Sequence, residues 1–269
     1  MKQGSLYEAL FQVGALILVV IIVHGTYVTV IRPSADLIQE QQALMQEQNP
    51  EIVPERSVFI ILRNYEQEFC IIFFLWAVTI IGMKTQHTIR QRSLLDRTLI
   101  QLQEGMSILP EDSRNIARPV QALSEKEREY LLPRALLAGL HRFQSTQNIQ
   151  AVSSIIKDTC ETEADRMETE LTIVRYIAWA IPSIGFLGTV RGIGTALGQA
   201  YQAVAGDIAG VTQSLGVAFN STFVALVVSI FLMFLLHQLQ LLQDRLVLDC
   251  QNYCDERLIN HLQVPDRGE

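Results

Sequence analysis

Apolar residues along the chain gather into four blocks, separated by long polar stretches. Residues 10–31 (LFQVGALILVVIIVHGTYVTVI) contain no Asp, Glu, Lys or Arg, and only His24 offers a charge. At about 1.5 Å per residue, a helix of that length crosses a bilayer core of ~30 Å. Residues 69–83 (FCIIFFLWAVTIIGM) are equally apolar but short for a span, and residues 172–199 and 211–237 complete the set. The pattern predicts an all-α, polytopic helical membrane protein with four transmembrane helices. The first block reads as a retained helix rather than a cleaved leader. Its charged head is a single Lys2, its apolar run is too long for a leader core, and RPSAD offers a poor cleavage site. Val58 to Leu62 forms a further apolar patch, cut off by RNYEQE. Either it lies as an interfacial helix feeding the second span, or that span starts earlier.

The polar stretches read as helix too. SEKEREYLLPRALLAGLHRFQ opens with Ser124 and Glu127 at capping-box spacing. Leu131, Leu132, Ala135, Leu136 and Leu140 then repeat at helical spacing. From Ile149, the positions Val152, Ile155, Ile156, Met167, Leu171 and Val174 share a broad face with no breaker before Pro182. The third span is therefore expected to extend well beyond the bilayer. The tail repeats the pattern through Leu239, Leu242, Leu246, Cys250 and Tyr253. Such stripes need a partner surface, and a helical bundle within and between subunits supplies one.

Composition sharpens this picture. The chain is 49% hydrophobic and 18% charged, against roughly 25% charged in soluble domains. The net charge of −7 is spread over loops and no basic tract stands out, which gives nucleic-acid binding no support. Basic residues concentrate in the segment from Lys84 to Arg134 and are absent from the turn around Asp207. By the positive-inside rule, the N- and C-termini are expected in the cytoplasm. The resulting division is an N-terminal transmembrane helix (1–31), a periplasmic segment (32–68), a second transmembrane helix (69–83) and a cytoplasmic helical region (84–170). A two-helix membrane core (171–238) and a cytoplasmic C-terminal helix (239–269) follow.

Catalytic chemistry finds no foothold. No Ser/His/Asp, metal-ligand or paired-carboxylate constellation is visible, so no enzyme, metal or cofactor is expected. Cys70 lies in a span, and Cys160, Cys250 and Cys254 fall in segments assigned to the cytoplasm, where thiols stay reduced. Cys250 and Cys254 are one helical turn apart, but no second ligand pair accompanies them. They read as buried helix-face residues.

The unusual stretch is IPSIGFLGTVRGIGTALGQA, residues 181–200. Glycine inside a helix costs about 1 kcal/mol relative to alanine, yet five occur here. Pro182, Gly185, Thr189, Gly192, Ala196 and Gln199 recur every three or four residues on one face. In the fourth span Ala218, Thr222, Ala225 and Ser229 form a similar stripe, with Ser221 and Asn220 beside Thr222. The pattern leaves two readings open. Gly188-x3-Gly192 and Gly194-x3-Gly198 fit close packing of membrane helices, while the hydroxyls fit a polar path for an ion. A phosphate-binding glycine loop is excluded, because no strand precedes the glycines and no Lys-Ser/Thr follows them.

The words FLGTV after a proline, then a short turn and VTQSLGVAFNSTFVALVVSI, resemble the core of the MotA/TolQ/ExbB proton channel family over residues 172–238. The motif words are nearer to TolQ and ExbB, and to Zorya-type channel subunits, while the extra N-terminal span is similar to the four-helix flagellar-stator arrangement. The resemblance implies a homopentamer in the bacterial inner membrane enclosing a dimer of a single-span partner of the ExbD/TolR/MotB type. That partner carries a proton-bearing aspartate. It further implies that Thr189 and Thr222, with Ser221 and Asn220 alongside, line an ion pathway. Pro182, Gly185, Gly188, Gly192, Ala218 and Ala225 would pack and line it. TolQ- and ExbB-type chains commonly place a glutamate where this chain has Val217. Neither motif helix therefore offers a carboxylate, and any titrating acid is expected from the partner. Arg191 stands outside the family pattern: it could snorkel outward, pair with Asp207 or with a partner acid, or discourage cations, and a structural ion pair is favoured over a gating role. Asn220 either polarises the path or bridges two helices. The implied function is an ion channel subunit, with the proton as the ion, of a motor that turns ion-motive force into mechanical work. The rival is a non-conducting scaffold or signal-transmitting subunit.

Overall fold

The computed structural model describes residues 2–48, 57–100, 107–206 and 208–264. Regular structure among them is helical throughout, apart from one isolated bridge between Ile108 and Leu262. Four helical stretches are long and apolar enough to cross a membrane: Ala9–Met45, Tyr65–Arg92, Ile149–Gly198 and Ala209–His261. The chain divides into two units, Met1–Ile81 with Ile173–Leu236 and Gly82–Thr172 with His237–Glu269.

In the first unit, α1 (Lys2–Thr26) passes through a π-turn (Tyr27–Ile31) into α2 (Arg32–Gln48). Pro33 explains the π-turn, since it has no amide for the carbonyl of Thr29 and its ring crowds that oxygen. A widened turn relieves both. The stretch from 32 to 48 is thus helix continuing from the first apolar block. The patch at 58–62 is a separate short helix, α3 (Val58–Leu62), capped by the Ser57 hydroxyl accepting from the Phe59 amide at 3.3 Å. The next helix, α4 (Tyr65–Arg92), begins four residues before the apolar run 69–83 and continues past it. Helices α1 and α4 meet around Val23, Tyr27 and Ile72, and the Trp76 indole donates to the Gln12 carbonyl at 3.0 Å.

This unit also holds α9 (Thr172–Gly198), the short α10 (Ala200–Val204) and the membrane part of α11 (Ala209–Arg257). Pro182 lies inside α9 and leaves the Ala178 carbonyl without its helical donor. The Ser229 hydroxyl of α11 donates to that carbonyl at 3.4 Å. Helix-breaking chemistry in one span is thereby answered by a hydroxyl from its neighbour, as membrane interiors require.

In the second unit, α5 (Ser113–Gln121), α6 (Glu125–Arg128), α7 (Leu131–Thr146) and α8 (Ile149–Glu170) pack with the end of α11. The capping box is present: the Ser124 hydroxyl accepts from the Glu127 amide at 3.3 Å, and the Glu127 carboxylate accepts from the Ser124 amide at 3.3 Å. That helix ends at Arg128, however, and a second begins at Leu131, where the sequence pattern reads as one. Pro133 has no amide for the carbonyl of Glu129, so the helix cannot run through. The buried Gln91 side chain accepts from the Leu131 amide at 3.1 Å and caps the new start. Gln147 in the left-handed region (φ 51°) and Asn148, which accepts from the Ala151 amide at 3.1 Å, turn α7 into α8.

The tail stripe packs as its spacing predicts. Leu239, Leu246, Cys250 and Cys254 are buried, while Leu242 and Tyr253 sit at its edges. The Tyr253 hydroxyl accepts from the Leu99 amide at 3.1 Å. Cys160, Cys250 and Cys254 all lie in this apolar core. Burial holds the Cys160 thiol up at about 11 and raises the other two further, so all three are neutral near pH 7. Two buried charges here are matched: Lys84 meets Glu170 at 2.6 Å, and Glu163 accepts from Arg134 at 2.7 Å.

Candidate functional site

The two motif helices meet along a seam of small residues. A Cβ at Gly192 would lie 2.7 Å from the Ala218 Cβ and 2.8 Å from its backbone nitrogen. One at Gly188 would lie 2.5 Å from the Ser221 Cβ, and one at Gly185 would strike the Ala225 Cβ. No side chain larger than hydrogen fits at these three positions. Gly185, Gly188 and Gly192 therefore lie against Ala225, Ser221 and Ala218, while a Cβ at Gly194 or Gly198 would meet nothing within 4 Å. Pro182 sits half-buried at one end of this seam.

The two threonines sit within it. The hydroxyls of Thr189 and Thr222 are hydrogen-bonded to each other. Thr189 also reaches the Ala218 carbonyl on α11 at 3.1 Å, and Thr222 the Gly185 carbonyl on α9 at 3.2 Å. Thr189 also lies 3.3 Å from the Gly185 carbonyl of its own helix. Each hydroxyl has one proton and can accept as well, so the hydrogen bond between them can run either way. In one arrangement, Thr222 donates to Thr189 and Thr189 donates to the Ala218 or Gly185 carbonyl. In the other, Thr189 donates to Thr222 and Thr222 donates to Gly185. Switching between them needs only rotation of two C–O bonds, and the pair can thus present a donor or an acceptor to a third group.

Ser221 and Asn220 are not joined to this pair. The Ser221 hydroxyl donates to its own helix at Val217 (3.0 Å) and receives the Gln67 amide of α4 at 3.4 Å. Asn220 is half-buried and makes no side-chain hydrogen bond among the described residues.

Arg191 forms a bidentate pair with Glu66, its Nε 2.8 Å and its Nη2 2.9 Å from the two carboxylate oxygens. The expected partner Asp207 lies outside the described residues. Geometry accounts for the contact with Glu66. Glu66 heads α4, and its Cγ lies 3.1 Å from where a Gly188 Cβ would stand. The missing side chain at Gly188 is what lets the carboxylate come alongside α9. Two residues on, Glu68 is only 5% exposed and binds His24 at 2.7 Å and the Arg32 guanidinium, which stacks over Tyr65. Between them Gln67 is fully buried, and its carbonyl oxygen has no hydrogen-bond partner.

Carboxylates thus do enter this unit from the chain itself, on α4 rather than on either motif helix. YEQE reads as an interruption of an apolar run, yet the topology places it at the same end of its span as Arg191. An unpaired intramembrane cation is the signal that would have found Glu66. No group of three or more His, Cys, Asp or Glu among the described residues is arranged to hold a metal.

Comparison with known proteins adds one result. Residues 127–252 match the family model described as the MotA/TolQ/ExbB proton channel family. No curated protein and no solved structure matches the chain. The matched residues include the whole glycine seam, both threonines and the helices that flank them. Four helices are fit to span a bilayer, as in a multi-pass membrane protein, and over residues 127–252 the chain is similar to the MotA/TolQ/ExbB proton channel family.

Proposed function

We propose that the chain is the ion-conducting subunit of a motor complex in the bacterial inner membrane, with the proton as the ion. Five copies enclose the membrane helices of two copies of a single-span partner of the ExbD/TolR/MotB type, with both termini of this chain in the cytoplasm. The observation that carries this reading is the Thr189–Thr222 hydroxyl pair, set between two membrane helices of a proton channel family. A carboxyl group that loads and releases a proton in hydrocarbon needs hydrogen-bond partners in both states. The protonated acid donates to a hydroxyl oxygen and the carboxylate accepts a hydroxyl proton. The two arrangements of the threonine pair serve each state without moving a helix. The subunit carries out no enzymatic chemistry in this reading. Its work comes from the membrane potential, roughly 2.3 kcal/mol per charge per 100 mV.

Exposed apolar faces support the ring. Phe186, Leu187, Val190 and Leu197 on α9, with Phe219, Phe223, Ile230 and Phe234 on α11, are all open in the single chain, and faces of this kind are covered by lipid or by further copies. Arg191 and Glu66 act as a structural ion pair at the side of the seam away from the threonine pair.

The glycine seam also favours the scaffold reading, in which the small residues assemble a complex and nothing passes. The two readings separate on one preparation. Co-expression with the single-span partner and native mass spectrometry is expected to give five copies of this chain to two of the partner. Vesicles holding that complex are expected to take up protons, and to stop when the partner's aspartate becomes asparagine. Intact complexes that never conduct would leave the scaffold and overturn the channel.

A further inference from the structure

Helices α5 and α7 leave a cleft of about 410 Å³ between them, within the ~300–1,000 Å³ range of small-molecule sites. One wall carries Arg114, Arg118 and Gln121, the other Leu137, His141 and Gln144. Each trio follows the same i, i+4, i+7 spacing, so two matched stripes face one another. Ser113, Ala117 and Leu140 form a buried floor. In a chain of net charge −7, no Asp or Glu among the described residues lines this cleft.

Several unfavourable features converge here. Arg114 and Arg118 stand one turn apart on one face and repel each other. Arg114 sits in the first turn of α5, where the helix dipole disfavours a cation, and Arg118 in its last turn. Neither forms an ion pair with a described residue. Asp112, just before the helix, makes no side-chain cap and does not line the cleft. The Ser113 side chain is 2% exposed and its hydroxyl has no hydrogen-bond partner. The leading amides of Ser113 and Arg114 have no carbonyl within the helix to donate to. Unpaired cations, an orphan hydroxyl and free leading amides on one short helix are each relieved by the same thing, an anion.

We infer that this cleft binds a phosphate-bearing small molecule. Guanidinium groups grip phosphate oxygens in pairs, and Arg114 and Arg118 approach from one wall. Ser113 and the leading amides of α5 donate from the floor, and His141 stands opposite. A tetrahedral dianion uses donors arriving from several sides, where a flat carboxylate cannot. Ala117, Leu137 and Leu140 take the apolar remainder of the ligand. A soluble phosphorylated compound and a phosphomonoester lipid headgroup share this chemistry. The inference does not depend on ion conduction.

The test uses the full-length protein in phosphatidylcholine nanodiscs, titrated calorimetrically with pyrophosphate. Saturable binding is expected, with the Kd raised at least about tenfold in the R114Q/R118Q variant, since charged hydrogen bonds are lost. Arg128→Gln, outside the cleft, leaves it unchanged. Ser113→Ala weakens binding without lowering thermal stability, which a purely structural serine would not do. Nanodiscs containing phosphatidic acid separate the two sources. Loss of pyrophosphate binding there identifies a headgroup site, and persistence identifies a soluble ligand. The inference fails if pyrophosphate does not saturate at millimolar concentration, if R114Q/R118Q binds it equally well, or if succinate binds as tightly.

Discussion

Gly188 and Gly194 look alike in the sequence, each in a small-xxx-small pair, but they face different surroundings. A methyl group at Gly188 would press on Ser221 and Glu66, and at Gly192 on Ala218, while at Gly194 it would meet nothing. Gly192→Ala is therefore expected to cost about 1–3 kcal/mol by overpacking. Gly194→Ala is expected to be neutral or to stabilise by up to ~1 kcal/mol through helix propensity. Detergent-induced unfolding of the purified protein measures both, and equal effects would break the assignment of the seam. The two glutamates of α4 differ in the same manner. The Arg191 side chain is 51% exposed, so its pairing with Glu66 is solvent-screened and worth at most about 1 kcal/mol. Glu68 is buried against Arg32 and His24, and Glu68→Gln is expected to cost several-fold more than Glu66→Gln because it strands a charge. Thr189 and Thr222 were legible from spacing and family words. Glu66 was not, because periodicity describes one helix at a time and an ion pair between helices leaves no period.

At the scale of the element, proline explains most of what periodicity missed. The apolar rhythm from Leu131 onward is genuine, but it cannot register that Pro133 lacks an amide, so one expected helix is two. Pro182 gives the opposite case, where α9 stays whole because Ser229 supplies the missing donor. Ser229→Ala alone is expected to destabilise by roughly 0.6 kcal/mol, typical of an interhelical hydrogen bond in membranes. In a Pro182→Ala background the backbone amide restores the bond, and the serine effect is expected to vanish. A double-mutant cycle showing additive effects would contradict this pairing. The three thiols of α8 and α11 carry a pH dependence. Their values in the folded chain are raised by burial, so their contribution is full below the ordinary thiol value near 9 and is lost as pH rises above it. The slope is about 1.4 kcal/mol per pH unit for each thiol. Unfolding measured between neutral and alkaline pH, against a variant with all three changed to alanine, checks the sign.

For the whole molecule, four apolar blocks, an all-helical fold and long helical extensions could be read from hydrophobic pattern alone, because membrane solvation admits few alternatives. What could not be read was how helices of one unit answer one another: α4 bringing acids to α9, and α11 repairing its proline. The large exposed apolar faces of α9 and α11 are of the kind that lipid or further copies cover. Proton uptake by vesicles carrying the assembled complex, compared between wild type and the Thr189→Val and Thr222→Val variants, is the most direct measurement of what the seam does. Valine keeps the volume and removes only the hydroxyl. Complexes of unchanged composition with uptake abolished are the expected result, and uptake that survives both substitutions would contradict an ion path through the threonine pair.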